Sequence, residues 1–262
     1  MAQPVSSAVD KALDLLEAIA RADHPSRLID LANESGMHRA TAHRVLADLM
    51  RRGWVQRADD GYLPGVVALQ LSDAAIANSV IAISRPVLHS LSDQTEMMVN
   101  LQVLAEEHSR VIDVVRPQRL QMITNLGGEL LPVHKFAGTM ALVAKLASPD
   151  RLPYLRIAEQ AGYPMDGDNG LLADLERTKR TGYAIERGRK EDWIASMSRV
   201  IQSSTGMPVC AVTVVGLNSE FDEPNLTLIR EALYDATATL QKKLDKWRDR
   251  THNNEEPNRA KS

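Results

Sequence analysis

The chain has 262 residues and one cysteine, Cys210. That excludes an intramolecular disulfide framework and fits a reducing compartment. Aromatic residues are only 4 % of the sequence, so its core must be mostly aliphatic. No run approaches the roughly 20 apolar residues of a membrane-spanning helix. Asp10 and Lys11 interrupt the N-terminal apolar pattern, leaving no signal-peptide h-region. A cytoplasmic protein without membrane contact is expected. Catalytic and cofactor signatures are also missing. There is no nucleophile elbow and no Ser-His-Asp arrangement, and Gly127-Gly128 lacks the third glycine of a dinucleotide fingerprint. Neither an enzyme nor a cofactor is expected. His38 and His43 lie five apart on one helix and do not converge on a metal. Asp166-Gly167-Asp168-Asn169-Gly170 lacks the twelfth-position Glu of a calcium loop and reads as a turn. His134 reads as a packed, hydrogen-bonded residue, and Cys210 as a buried thiol in the apolar run Val209–Val215.

The remaining composition is that of an ordinary soluble chain, 44 % hydrophobic and 25 % charged, and long enough for two modest domains. The net charge is −3, and residues 1–65 hold eight Lys/Arg against nine Asp/Glu. Charge alone therefore does not announce a nucleic-acid binder. Its distribution does more, because residues 38–57 hold five arginines and one acid, Asp48.

Helical spacing predicts a helix over 7–20, capped by Ser7, with Val9, Leu13, Leu16 and Ile19-Ala20 on its apolar face. His24-Pro25-Ser26 breaks it. A short second helix over 27–35 points Leu28, Leu31 and Ala32 inward and ends at Gly36. A third follows over 38–52, closed by Gly53. Strands 54–57 and 62–65 flank Ala58-Asp59-Asp60-Gly61 as a hairpin. Two short helices, a glycine turn, a third helix and a hairpin are the parts of a winged helix-turn-helix. At about 100° per residue, Ala42, Val45, Leu46 and Leu49 share one face of the third helix. Ala40, His43, Arg44, Ala47 and Arg51 share the opposite face. Small residues there let the backbone approach duplex DNA, and arginines can reach guanine edges or phosphates. Arg39, Ala40, Thr41 and His43 are the candidates for base contact. Arg44 suits base or phosphate, Arg51 lies on the same DNA-facing side, and Arg57 in the wing suits phosphate. Thr41 could equally cap or pack at the helix start, and a basic winged helix can serve protein contacts instead.

Downstream, 66–95 reads as largely helical, interrupted near Pro86, with 66–80 a linker helix. Strands are expected over 97–105 and 110–116, then 183–186, 193–200 and 209–215. Helices are expected over 136–146, from Pro149, over 171–181 and over 223–246. The whole is α+β: a winged helix over 1–65, the linker, a second domain over 81–248 and a disordered polar tail over 249–262.

These segments resemble the IclR family of bacterial transcriptional regulators. The resemblance lies in SAVDKALDLLEAI and LIDLANESGMHRATAHRVLADLMRRGWVQRADDGYLPG, including Thr41-Ala42-His43-Arg44 and Gly53-Trp54-Val55. It continues in 126–144, 180–198 and 207–217. It implies a GAF-like α/β C-terminal domain that binds a small organic acid, homodimers formed through the N-terminal domains, often paired into homotetramers, and control of catabolic operons. The effector positions it implies are the backbone pair Ala137-Gly138, the acid Glu186, Ser196 where the family has Cys, and Thr213 and Val215 where it has two hydroxyls. Thr139-Met140 replaces a common Gly-Lys. Main-chain N–H groups opening the 136–146 helix would favour a carboxylate, and Ser196 and Thr213 are short donors. Glu186 would repel an acid unless it is protonated or accepts a ligand hydroxyl. Val215 and Met140 make the pocket more apolar, and Trp193-Ile194-Ala195-Ser196 resembles members serving aromatic catabolism. An aromatic-type acid is the expected effector. The other reading left open is a C-terminal domain that serves only oligomerisation.

Overall fold

The computed structural model describes residues 7–58 and 61–253, with backbone alone over 72–77 and 250–253. Ser7 opens helix α1 (Ala8–Arg21) with a capping box. Its Oγ accepts the Asp10 N–H at 3.1 Å, and the Asp10 carboxylate accepts the Ser7 N–H at 2.8 Å. The buried face is Leu15, Ala18 and Ile19, not the full predicted stripe. Val9 and Leu13 are 66 % and 50 % exposed, and Ala20 is exposed too. The apolar band of α1 is wider than this chain's own core, so half of it faces out.

Helix α2 (Leu28–Glu34) buries Leu31 and Ala32, with Leu28 half-buried. Gly36 then takes φ +61°, a left-handed value that glycine adopts without the Cβ penalty, and the chain turns into α3 (Arg39–Arg51). Strands β1 (Val55–Ala58) and β2 (Gly61–Pro64) pair antiparallel. Asp59 and Asp60 of the expected wing turn lie outside the described residues. Ser26 bridges Tyr62 through a reciprocal pair of backbone bonds at 3.1 and 2.9 Å, so the predicted helix breaker also anchors the hairpin.

Helix α4 runs unbroken from Val66 to Thr95, and the expected interruption at Pro86 does not occur. Proline costs the helix one bond to the carbonyl four residues back. That carbonyl belongs to exposed Ala82, where water can satisfy it, while Val87, Leu88 and Leu91 hold the following turns in a core. Contacts divide the chain within α4, between Asn78 and Ser79.

The second unit is built on a six-stranded antiparallel sheet in the order β5-β4-β3-β8-β7-β6. Its strands are β3 (Met98–Ala105), β4 (His108–Val115), β5 (Leu130–Leu131), β6 (Ala184–Arg187), β7 (Ile194–Gln202) and β8 (Pro208–Leu217). The β3–β4 turn is tighter than expected, with His108 and Ser109 already paired in the ladder. One face packs Val99, Leu101, Met197, Val212 and Val214 against α4 and against α8 (Asn225–Asn253). The other face is covered by α5 (Ala137–Ala144), α6 (Ser148–Gln160) and α7 (Leu171–Thr181), which share a second cluster containing Val133, Met140, Ala141, Leu171 and Leu175. Every residue of α5 is buried, as its apolar sequence requires. Helix α8 continues to Asn253, past the boundary expected at 248, and residues 254–262 of the expected tail lie outside the described residues.

Candidate functional site

Two groups of residues stand out, one in each unit. The first is the outer face of α3. Ala42 and Leu46 are fully buried and Leu49 nearly so, which leaves Arg39, Ala40, His43, Arg44, Ala47 and Arg51 exposed on the other side. Arg57 is exposed on β1. Thr41 is half-buried, and no side chain caps this helix, where His38 holds the N-cap position. Arg51 is not equivalent to the others, because it pairs with Asp48 at 3.2 Å one turn back. Arg39, Arg44 and Arg57 have no ion pair among the described residues, so their charge is available to a partner.

The second group lines a cavity of about 190 Å³ between the sheet and the start of α5. Ala137, Gly138, Glu186, Ser196, Thr213 and Val215 all line it. Sheet register explains the convergence. Glu186, Ser196, Val215 and Met98 are paired in one row across β6, β7, β8 and β3. Ser198, Thr213 and Asn100 occupy the next row on the same face, two residues along each strand. Met98, Met122, Ile123, Leu126, Leu131, Phe136, Trp193 and Ile194 supply apolar wall. Ile123 is contributed by the segment between β4 and β5, beyond the 3₁₀ turn Gln118–Leu120.

The floor is polar and internally bonded. Ser109 Oγ donates to Gln102 Oε1 at 2.8 Å. Gln102 Nε2 donates to Asn100 Oδ1 at 2.7 Å and to Thr213 Oγ1 at 3.3 Å. Thr213 donates to Ser198 at 2.9 Å, and Ser198 donates to the Val212 carbonyl at 3.1 Å. Thr213 is thus a link in a chain of donors. Gly138 is required by this arrangement, since a Cβ there would fall inside the Gln102 amide. Neither Asn100 nor Gln102 was singled out by the sequence. Their signal was the alternation Met98-Asn100-Gln102, two polar residues on one face of an otherwise apolar strand.

Glu186 is 5 % exposed and accepts from Ser196 Oγ at 2.9 Å and from the Arg189 N–H at 3.3 Å. Burial raises its carboxyl above the ordinary carboxylate value, against the lowering effect of those two bonds and the Arg189 charge. Arg189 pairs with buried Asp174, lies 5.5 Å from the Tyr163 ring centroid and reaches the His134 carbonyl at 3.4 Å. These contacts pin the β6–β7 loop, which carries Lys190 and Trp193 to the cavity. Lys190 Nζ sits 5.9 Å from the Phe136 ring centroid, beside the start of α5. His134 is buried as expected, but among the described residues its Nδ1 lacks the expected hydrogen-bond partner, and burial lowers its pKa. Burial pushes the Cys210 thiol up to about 12, as for a core residue. Among the described residues no cluster of metal-ligating side chains occurs, and no helix is long and apolar enough to cross a membrane.

A winged helix and an α/β domain with a small cavity, joined in one chain, form a layout suited to a DNA-binding transcriptional regulator. Residues 8–59 match the IclR helix-turn-helix domain, and residues 73–242 match the C-terminal domain of the bacterial transcriptional regulator IclR. The chain belongs to the IclR family of bacterial transcriptional regulators. It is 23 % identical to the transcriptional repressor IclR of Escherichia coli, over 83 % of this chain and 82 % of that protein. In fold it is similar to the IclR of Thermotoga maritima, with a TM-score of 0.57 at 21 % identity over 90 % of this chain and 98 % of that one. It is also similar to an IclR homologue of Microbacterium hydrocarbonoxydans complexed with 4-hydroxybenzoate. There the TM-score is 0.56 at 20 % identity, covering 92 % of this chain and the whole of that one.

Proposed function

We propose that this regulator controls a catabolic operon in response to a small carboxylate, an aromatic acid, held in the cavity under α5, and that it works in the cytoplasm as a homodimer or homotetramer. The division of labour follows the domain plan: residues 1–65 dock on operator DNA, 66–80 link, and 81–248 sense the ligand. The observation that carries this reading is the convergence of Ala137, Gly138, Glu186, Ser196, Thr213 and Val215 on one cavity with apolar walls and a few polar groups. The first turn of α5 has no side-chain cap, so its N–H groups are open to an acceptor. Met98, Phe136 and Trp193 give a ring something to pack on. A structural neighbour that holds 4-hydroxybenzoate supports the chemical class. On the DNA side, the exposed Arg39–Arg44 face of α3 supports a groove contact, with Ala40, Thr41 and His43 beside it and Arg51 and Arg57 toward phosphates. The exposed Val9 and Leu13 on α1 suit burial against a second copy.

The test pairs two measurements on the full chain. Calorimetric titration with a panel of aromatic acids is expected to show saturable heat, and silence across the panel would leave the C-terminal unit a purely structural domain. A gel shift on the DNA upstream of its own gene is expected to show log affinity falling steeply with log salt. A flat salt response would defeat the DNA contacts assigned to α3.

A further inference from the structure

The donor chain on the cavity floor has one loose end. Gln102 spends both amide protons, on Asn100 Oδ1 and Thr213 Oγ1, while its oxygen accepts from Ser109. Ser109 is itself bonded to Thr139 at 2.6 Å. The Gln102 amide is therefore fixed, and it fixes Asn100 with the Oδ1 turned inward. Asn100 is only 3 % exposed, yet its Nδ2 has no protein acceptor among the described residues and the residue lines the cavity. A donor that opens onto the cavity is free to bond a ligand acceptor in place of water. Two other positive features border the cavity: the uncapped first turn of α5, whose Gly138 abuts the Gln102 amide, and the Lys190 ammonium beside Phe136. At the far end stands Glu186. Its Ser196 hydroxyl and Arg189 N–H partners leave carboxylate lone pairs facing the cavity.

The geometry points to Asn100 as a specificity-determining donor, positioned by Gln102, and to a ligand with a carboxylate at one end and a hydroxyl at the other. This inference rests on the reading that the cavity takes a small acid. The carboxylate sits between Asn100, the start of α5 and Lys190, and the hydroxyl donates to Glu186. That arrangement removes the repulsion an acid would meet at Glu186. It also fixes the spacing. Glu186 is on β6 and Asn100 on β3, three strand spacings or roughly 14 Å across the sheet, and two residues or roughly 7 Å along it. A molecule touching both side chains must carry its polar groups at opposite ends of a ring, not on adjacent carbons. Val215, standing between them in the Glu186 row, contributes only an apolar surface for that ring.

The experiment is calorimetric titration of the full chain with 4-hydroxybenzoate, benzoate and 2-hydroxybenzoate, repeated on Asn100→Asp. A site built around a ligand hydroxyl rejects the analogue without it. The unmodified chain is therefore expected to bind 4-hydroxybenzoate at least tenfold more tightly than either other acid. Asn100→Asp keeps the Oδ1 that accepts from Gln102 but replaces the donor with an anion, and is expected to weaken 4-hydroxybenzoate at least tenfold. Equal affinity for the three acids overturns the inference without needing any variant, and leaves the small-acid reading standing. So does an Asn100→Asp protein, folded by circular dichroism, that binds 4-hydroxybenzoate as tightly as the parent. Absence of heat from all three acids overturns the inference and the small-acid reading together.

Discussion

Glu186 is placed where an ionised carboxylate is costly, and that cost can be read out. Its ordinary pKa is near 4.5, and burial raises it in the folded chain. Well below 4.5 both folded and unfolded chains hold the proton, so pH has no leverage. As pH climbs from 4.5 through the folded value, the unfolded chain releases its proton first, and stability falls. Above the folded value the penalty stays constant. Glu186→Gln removes this titration while retaining an oxygen that can accept from Ser196. The melting temperature of the variant relative to the parent is therefore expected to rise between pH 4 and 8 and then level. Calorimetry across that range checks it, and an offset independent of pH would show that burial does not penalise the Glu186 charge. The same residue illustrates how residue-scale chemistry was read in the sequence. Its identity and its tension with an acid ligand were visible beforehand. Its partner Arg189 was not, because that contact depends on the turn at Gly188 and on Asp174, twelve positions upstream of Glu186 in α7. Asn100 and Gln102 escaped for a related reason. Their role is set by the register with β8 and by the start of α5, and neither is local in sequence.

Among elements, those whose faces are divided by their own period were the most legible. In α3 Ala42, Leu46 and Leu49 of the predicted stripe are buried, Val45 is half-buried at its edge, and the arginine face is out, as the helical repeat required. Helix α1 was legible in extent but not in facing, because its apolar band includes Val9 and Leu13, which this chain's core does not cover. Helix α4 was expected to break at Pro86 and does not, since the proline's position on the exposed side makes its lost bond cheap. Strand β5, two residues long, has no period to read. Helix α5 gives the sharpest element-scale prediction. Gly→Ala within a helix normally stabilises it by up to about 1 kcal/mol. At Gly138 the sign should reverse, because the new methyl collides with the Gln102 amide. Overpacking of this kind costs roughly 1–3 kcal/mol. Gln102→Ala makes room for the methyl, so the double variant should be more stable than the two single losses predict when added. Urea denaturation of the four proteins measures that coupling. Additive losses would mean that the amide and the helix start do not press on one another.

At the scale of the whole molecule, the two units share one unbroken helix, and the division between them falls inside it, after Asn78. A ligand under α5 can influence DNA only if it binds one of two states of the assembly better than the other, and the effect must then be reciprocal. If the acid weakens operator binding tenfold, a coupling of about 1.4 kcal/mol, then saturating operator DNA must weaken acid binding tenfold. Titrating the panel's tightest acid into the free protein and into its DNA complex measures one side, and gel shifts with and without that acid measure the other. Arg44→Ala separates the units. It removes an exposed arginine on α3, unpaired among the described residues, while leaving the buried stripe intact, so operator binding should be lost and acid affinity in the free protein unchanged. Adding operator DNA to that variant should then no longer shift the acid's affinity. If acid affinity fell along with DNA binding in the DNA-free variant, Arg44 would be supporting the fold and the separation into a reading head and a sensing domain would fail. If both affinities behaved as expected but DNA left the parent's acid affinity unchanged, the cavity would bind its ligand without governing the helix that reads DNA.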